Sequence, residues 1–265
     1  MVTGGQLLPE IHGLERGQRD CLKGLFSEHQ PSFLIDAVIE GHLGKALVDD
    51  DLKPSVARLE YADVVIYGGD PHHPTAKKLV EKTPFEKGIL PAPGDWPMFI
   101  SEILGHQLIE IERYRFSEAN LDLSLLQTLT RNLPSHYKLR KIDLELARRI
   151  LEDPEQISED HVRNFDSTDD FVKRGLGYVI LDGDYIISGA SSYAICNRGI
   201  EIQVNTNPAY RRQGLATIVS AALLIECLKT VRLPHWDAGN PESAQLACKL
   251  GFTPNGTYLM TVRVE

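Results

Sequence analysis

The chain has 265 residues, a formal net charge of −9 and 42% apolar residues, enough for one large domain or two small ones with a substantial core. That charge argues against a general nucleic-acid or anionic-membrane surface, and it means that an anionic ligand needs a local basic patch. No apolar run reaches the ~20 residues of a membrane span, residues 1–6 lack the basic start of a signal peptide, and Cys21, Cys196, Cys227 and Cys248 lack paired spacing. The expectation is a cytoplasmic protein with free thiols and no metal site.

Residues before about 30 carry weak signals. Short strands are expected over 46–48 and 56–60, around the turn Asp49-Asp50-Asp51. A buried strand over 64–67 stops at Gly68-Gly69-Asp70-Pro71, and a helix follows over 74–82. The loop holds glycines and the pair His72-His73. Asp70 would repel phosphate, however, and adjacent histidines without a further spaced ligand do not make a metal site, so a solvated turn is expected. A proline-rich break over 90–97 precedes a helix over 98–107 and a strand over 108–116. Leu121, Leu125, Leu126 and Leu129 have helical spacing. The domain boundary is placed here, giving an N-terminal α/β domain, 1–133, and a second domain, 134–265.

In the second domain a strand over 135–142 is followed by a helix over 144–151 and a short helix after the acidic tract 166–170. Three antiparallel strands follow over 177–181, 185–195 and 199–206, the first two joined by Asp182-Gly183-Asp184. Asn207-Pro208 ends the third strand, and Tyr210-Arg211-Arg212-Gln213-Gly214-Leu215-Ala216 leads into an apolar helix over 215–228. A strand over 233–240 and a helix from Pro241 complete the pattern. Asn240 suits that helix's N-cap, Pro241 its first position and Gly251 its stop.

A basic glycine loop feeding a helix is suited to an anion, because the first helical N–H groups lack partners and the helix dipole is positive there. Gly214 and Ala216 leave room for a pyrophosphate, and Arg211 and Arg212 supply charge. The alternative is an ordinary strand-turn-helix with two solvated arginines.

R-x-x-G-x-A at Arg211, Gly214 and Ala216 resembles motif A of the GNAT acetyltransferase superfamily. Asn240 followed by K-L-G-F at Lys249 to Phe252 resembles its motif B. From about Tyr137 onward, the tract NTNPAYRRQGLAT and the spacing of Pro234, Trp236, Asp237, Asn240 and Ser243 resemble more specifically the subfamily that includes the zwittermicin A resistance acetyltransferases. The resemblance implies a mixed α/β (α+β) fold for the second domain, with a twisted, mostly antiparallel sheet flanked by helices; the strand-loop-helix pattern before it suggests an N-terminal α/β domain of related shape. No internal sequence repeat is visible.

It also implies an acyl-CoA co-substrate, acetyl-CoA, lying in a split between the fourth and fifth strands of the second domain. Pyrophosphate contacts then fall on Arg211, Arg212, Gln213, Gly214, Leu215 and Ala216. The pantetheine edge falls on Val204, Asn205 and Thr206, and further cofactor contacts on Asn240 and Ser243. A carboxylate near the start of the fourth strand serves many members as general base. Glu201 stands there, with a solvent-facing strand residue as the alternative. The tyrosine that often serves as acid is replaced by Ala247, which leaves Tyr258 or a water for that role. Cys248 is expected as a packed thiol; Trp236 and Asp237 as acceptor-pocket or core residues. The expected reaction is N-acetylation of a primary amine of a small, antibiotic-like molecule. A non-catalytic acyl-CoA-binding module is the alternative, and the oligomeric state is left open, a homodimer included.

Overall fold

The computed structural model describes residues 10–30 and 32–265, so the expectation about residues 1–6 lies outside the described residues. Its compact units divide the chain unevenly. One unit comprises Met1–Ile111 together with Leu259–Glu265, and the other comprises Glu112–Tyr258. The sequence expectation placed one boundary at 133/134. The division instead falls inside two long strands, and the first unit is completed by a piece of chain remote in sequence, Leu259–Glu265.

In the first unit, β1 (His12–Gly13) leads to a 3-10 helix (Arg16–Phe26) and to α1 (Phe33–Ile39). β2 (Lys45–Val48), β3 (Val56–Tyr61) and β4 (Val64–Gly69) pair antiparallel in succession. After α2 (Pro74–Glu81), β5 (Gly88–Ile89) lies parallel to β4. α3 (Trp96–Leu104) follows, and then β6 (Leu108–Ser117) carries the chain into the second unit. The 3-10 helix was not anticipated, although Glu15 and Gln18 form a capping box at its start. Its Arg19 is buried at 4% exposure. The guanidinium is satisfied by the Leu14, Val38, Leu43 and Gly44 carbonyls, as a buried cation must be. The core gathers Val56, Val65, Tyr67, Leu79, Ile89, Trp96 and Ile100.

The second unit takes α4 (Leu123–Thr130), β7 (Tyr137–Lys141), α5 (Leu144–Glu152) and α6 (Thr168–Arg174) before β8 (Gly177–Asp182), β9 (Tyr185–Cys196) and β10 (Gly199–Thr206). α7 (Leu215–Lys229) leads to β11 (Leu233–His235), β12 (Asp237–Ala238), α8 (Pro241–Leu250) and β13 (Thr253–Arg263). β7, β8, β9 and β10 are antiparallel neighbours, and β11 is parallel to β10. α7 is buried nearly all round, as its unbroken apolar sequence predicts. Phe116, Leu126, Leu224, Trp236, Ala247, Leu250 and Phe252 form one core cluster.

The architecture is thus the expected one of mostly antiparallel sheets flanked by helices. Both units follow one plan: a strand, two helices, three antiparallel strands, a helix, a parallel strand, a helix and a final strand. The final strands do not stay with the halves that precede them. β6 pairs antiparallel with β12 in the second unit, Arg115 facing Asp237. The end of β13 pairs antiparallel with β5 in the first, Thr261 facing Ile89.

Candidate functional site

The second unit contains a place where its sheet opens. β10 and β11 pair only from Gly199–Leu233 to Glu201–His235. A Cβ at Gly199 would overlap the Leu233 carbonyl, so the close approach there requires glycine. Beyond Glu201 the strands part: β10 continues beside β9, while β12 joins β6. The single strand expected over 233–240 is therefore two, broken at Trp236. Trp236 is buried in the core, and its indole N–H donates to Ser243 Oγ at 3.1 Å. Register also shifts between Glu201 and Ile202, opposite Ala194 and Ser192 of β9, so β9 bulges there. Such bulges re-aim side chains.

Glu201 stands at the apex of this opening. It is 8% exposed, so the solvent-facing alternative does not hold. His235, its register neighbour, is hydrogen-bonded through Nδ1 to Glu201 Oε2 at 2.6 Å. Burial raises the Glu201 pKa against the opposing effect of His235. For His235, burial disfavours the imidazolium, but the Glu201 carboxylate, together with the charges of Asp237 and Glu118, outweighs it and the pKa is raised. The pair therefore holds a proton to higher pH than a free imidazole.

Asp237 is committed elsewhere. Its Oδ1 accepts from Arg113 Nε at 2.6 Å and its Oδ2 from the Tyr258 hydroxyl at 2.7 Å. Burial and the Asp237 charge raise the Tyr258 pKa, so this hydroxyl is a weak acid with its proton already engaged. That arrangement speaks against the acid role considered for Tyr258. Ala247 is fully buried in the core cluster. Cys248 departs from expectation: it is exposed, and lines an apolar depression of about 420 Å³ with Tyr114, Phe116 and Pro254.

The loop between β10 and α7 is fastened at several points. Asn207 caps its start by accepting from Ala209 N–H and donating to the Glu155 and Gln156 carbonyls. The Tyr210 hydroxyl donates to Asp182, and its ring meets those of Tyr137 and Tyr185. Tyr137 donates to Gln213 Oε1 at 3.2 Å, and Arg211 Nε donates to the Thr206 carbonyl at 3.3 Å. Arg212 and Gly214 both have left-handed backbone, φ 66° and 79°, and Gly214 is the N-cap of α7. Left-handed residues in such a loop turn successive N–H groups toward one side, which suits an anion. A Cβ at Gly214 would meet nothing within 4 Å, so the backbone is open to solvent on that side of the residue.

The loop residues Arg211, Arg212, Gln213, Gly214, Leu215 and Ala216 are thus brought together at one helix start. Val204, Asn205 and Thr206 lie on β10 past the point where it parts from β11. Two of their side chains have local partners: Asn205 Oδ1 accepts from Ser158 N–H, and Thr206 Oγ1 contacts Ser188 Oγ. Asn240 caps α8 by accepting from Ser243 N–H at 2.8 Å. His235 was missed by the sequence reading; its signal was the register of a parallel strand opposite Glu201. Among the described residues no group of three or more His, Cys, Asp or Glu is placed to hold a metal, and no helix is long and apolar enough to cross a membrane.

A family model described as GNAT acetyltransferase matches residues 23–261. A GCN5-related N-acetyltransferase-like protein of Streptococcus suis 89/1591 is 32% identical with a TM-score of 0.82, covering 94% of this chain and 99% of that one. The uncharacterized N-acetyltransferase YdfB of Bacillus subtilis (strain 168) is 28% identical over 159 residues, 59% of this chain; the match spans only 58% of that relative's length. A tandem GNAT protein from the clavulanic acid biosynthesis pathway shares the fold at a TM-score of 0.54 and 14% identity, covering 96% of this chain and 98% of that one.

Proposed function

This chain belongs to the GNAT acetyltransferase family, and from that premise we propose that it moves an acetyl group from acetyl-CoA to a primary amine of a small molecule, with Glu201 as general base. The observation that carries the reading is the opening of the sheet after Glu201 and His235, with a basic loop of left-handed residues at the start of α7. The amides of residues 213–216 and the charges of Arg211 and Arg212 would hold the pyrophosphate. The β10 backbone over 204–206 would hold the pantetheine, with Asn240 and Ser243 as further contacts.

Acetyl-CoA supplies the acetyl group as an activated thioester. The chain must take a proton from an acceptor ammonium, because only the neutral amine attacks. Glu201 suits that step: it is a buried carboxylate whose burial makes it a stronger base than an exposed one. No side chain at position 247 can return a proton to the departing thiolate, so a water fills that role. Resemblance to the zwittermicin A resistance subfamily supports an antibiotic-like primary amine as acceptor.

The test is thiol release from acetyl-CoA with a panel of aminoglycosides, amino sugars and short diamines. Turnover with one of them, falling about 10²–10⁴-fold in Glu201→Gln, is the expected result. Tight acetyl-CoA binding without turnover on any amine would favour a binding module instead.

A further inference from the structure

Glu201 does not act in isolation from its surroundings. Its carboxylate is buried, and the group in hydrogen-bond contact with it is an imidazole from the neighbouring strand, fixed by the register of Glu201 opposite His235. We propose that His235 is a positioning residue for the acetyl transfer: through its Nδ1 contact with Glu201, the carboxylate–imidazole pair, not the carboxylate alone, is the unit that takes up the amine's proton. The proposal rests on the reading of Glu201 as general base.

The charge balance explains why the pair matters. With His235 neutral and Nδ1–H donating to Oε2, the pair carries one negative charge. The ammonium N–H bond breaks and leaves its electron pair on nitrogen. An O–H bond then forms on Oε1, the oxygen outside the His235 hydrogen bond. The pair ends uncharged, a favourable change in a buried place. Had His235 begun as imidazolium, the same step would leave a net positive charge buried there, so that form is not competent. The competent state is reached only when the pair has lost the imidazolium proton.

The surrounding charges come from several elements. Asp237 of β12 raises the pKa of His235, as does Glu118 just beyond β6. Arg113 of β6 and Tyr258 of β13 hold Asp237 in place, and Arg113 partly offsets the burial of Glu201. Together these groups set a proton affinity above that of a free imidazole. The acidic limb of the rate profile should therefore have its midpoint above about pH 6.5, the value of a free imidazole. His235 is 22% exposed at its side chain and Glu201 10%, so the pair is not sealed from solvent.

The experiment has two arms on the full chain. In the first, the imidazole of His235 is titrated by NMR, without any acceptor amine, in the parent protein and in Glu201→Gln. The expected midpoint lies above 6.5 in the parent and falls by at least one pH unit in the variant. An unchanged midpoint overturns the proposal. In the second, rate profiles are taken with the most active amine of the panel for His235→Asn and His235→Ala. Asparagine keeps an N–H donor but cannot titrate. Its acidic limb should move at least one unit lower with turnover at pH 8 held within about tenfold, while alanine loses further rate. A limb unmoved in His235→Asn, with Glu201→Gln still inactive, overturns the pair and leaves Glu201 as base. Normal turnover in Glu201→Gln overturns both readings.

Discussion

Arg263, the last residue of β13, should be one of the main stabilisers of a unit built mostly from the opposite end of the sequence. Its Nε and Nη2 donate to Gln107 Oε1 at 3.2 and 2.9 Å, and its Nη1 donates to the Glu81 carbonyl at 2.9 Å and to the Thr83 carbonyl. The guanidinium also lies over the Phe85 ring at 4.5 Å. Two of these contacts satisfy carbonyls at the C-terminal end of α2, where a cation also meets the negative end of the helix dipole. Hydrogen bonds to a charged group contribute about 1.5–3 kcal/mol each, but Arg263 is only half-buried and water replaces part of what is lost. Arg263→Ala should therefore cost about 2–4 kcal/mol, a fall in Tm of roughly 5–15 °C. Arg263→Lys, which keeps the charge and loses the planar fork, should fall between. Thermal and urea unfolding of the three proteins provide the measurement. A loss under about 0.5 kcal/mol for Arg263→Ala, the range of an ordinary surface change, would refute the role of this C-terminal segment.

Three further outcomes follow from the packing. A fragment beginning at Ser135 should not fold, because it lacks Phe116 and Leu126 from the core of the second unit and strands Asp237 without Arg113; a cooperative unfolding transition in that fragment would contradict this. Ala247→Tyr should destabilise the protein by about 1–3 kcal/mol or more and gain no activity, because the position is fully buried; faster thiol release would show instead that a tyrosine can reach the reacting atoms. His161 is fully buried with its Nε2 unpartnered, and burial depresses its pKa to about 3. The unfolded chain then binds the extra proton between about pH 6.5 and 3, so the stability this histidine confers is complete above 6.5 and lost as pH falls through that window. The ceiling is about 5 kcal/mol. His161→Leu should flatten the slope of stability against pH in that window, and an unchanged slope would show that other groups set it.

Much of the second unit was legible because local rules governed it. The N-cap Asn240, Pro241 at the helix start and the stop at Gly251 each express one residue's backbone preference, and the structure places all three as the sequence suggests. What was not legible depends on pairing between distant segments. Nothing in the composition of residues 253–263 shows that their last third pairs with β5, or that Arg115 on β6 faces Asp237. The repeated plan was hidden for a related reason. In the first unit the end of β4 and the loop before α2 carry Gly68-Gly69-Asp70-Pro71-His72-His73 where the second unit carries arginines, so topology recurs without recurring chemistry. The environment of Glu201 was half legible. Its strand position could be read from the chain, but its burial and its imidazole partner arise from the approach of β11.

The most direct test of where the co-substrate binds is calorimetry of acetyl-CoA on the parent protein, Gly214→Asn and Gly214→Trp. Asparagine tolerates the left-handed backbone at this position, whereas tryptophan places a bulky ring over the loop amides. With folding of each variant confirmed by its unfolding transition, the affinity should hold within about threefold for asparagine and fall tenfold or more for tryptophan, the loss of about one charge-assisted contact or more. Equal affinity for acetyl-CoA in the parent and in folded Gly214→Trp would contradict the account.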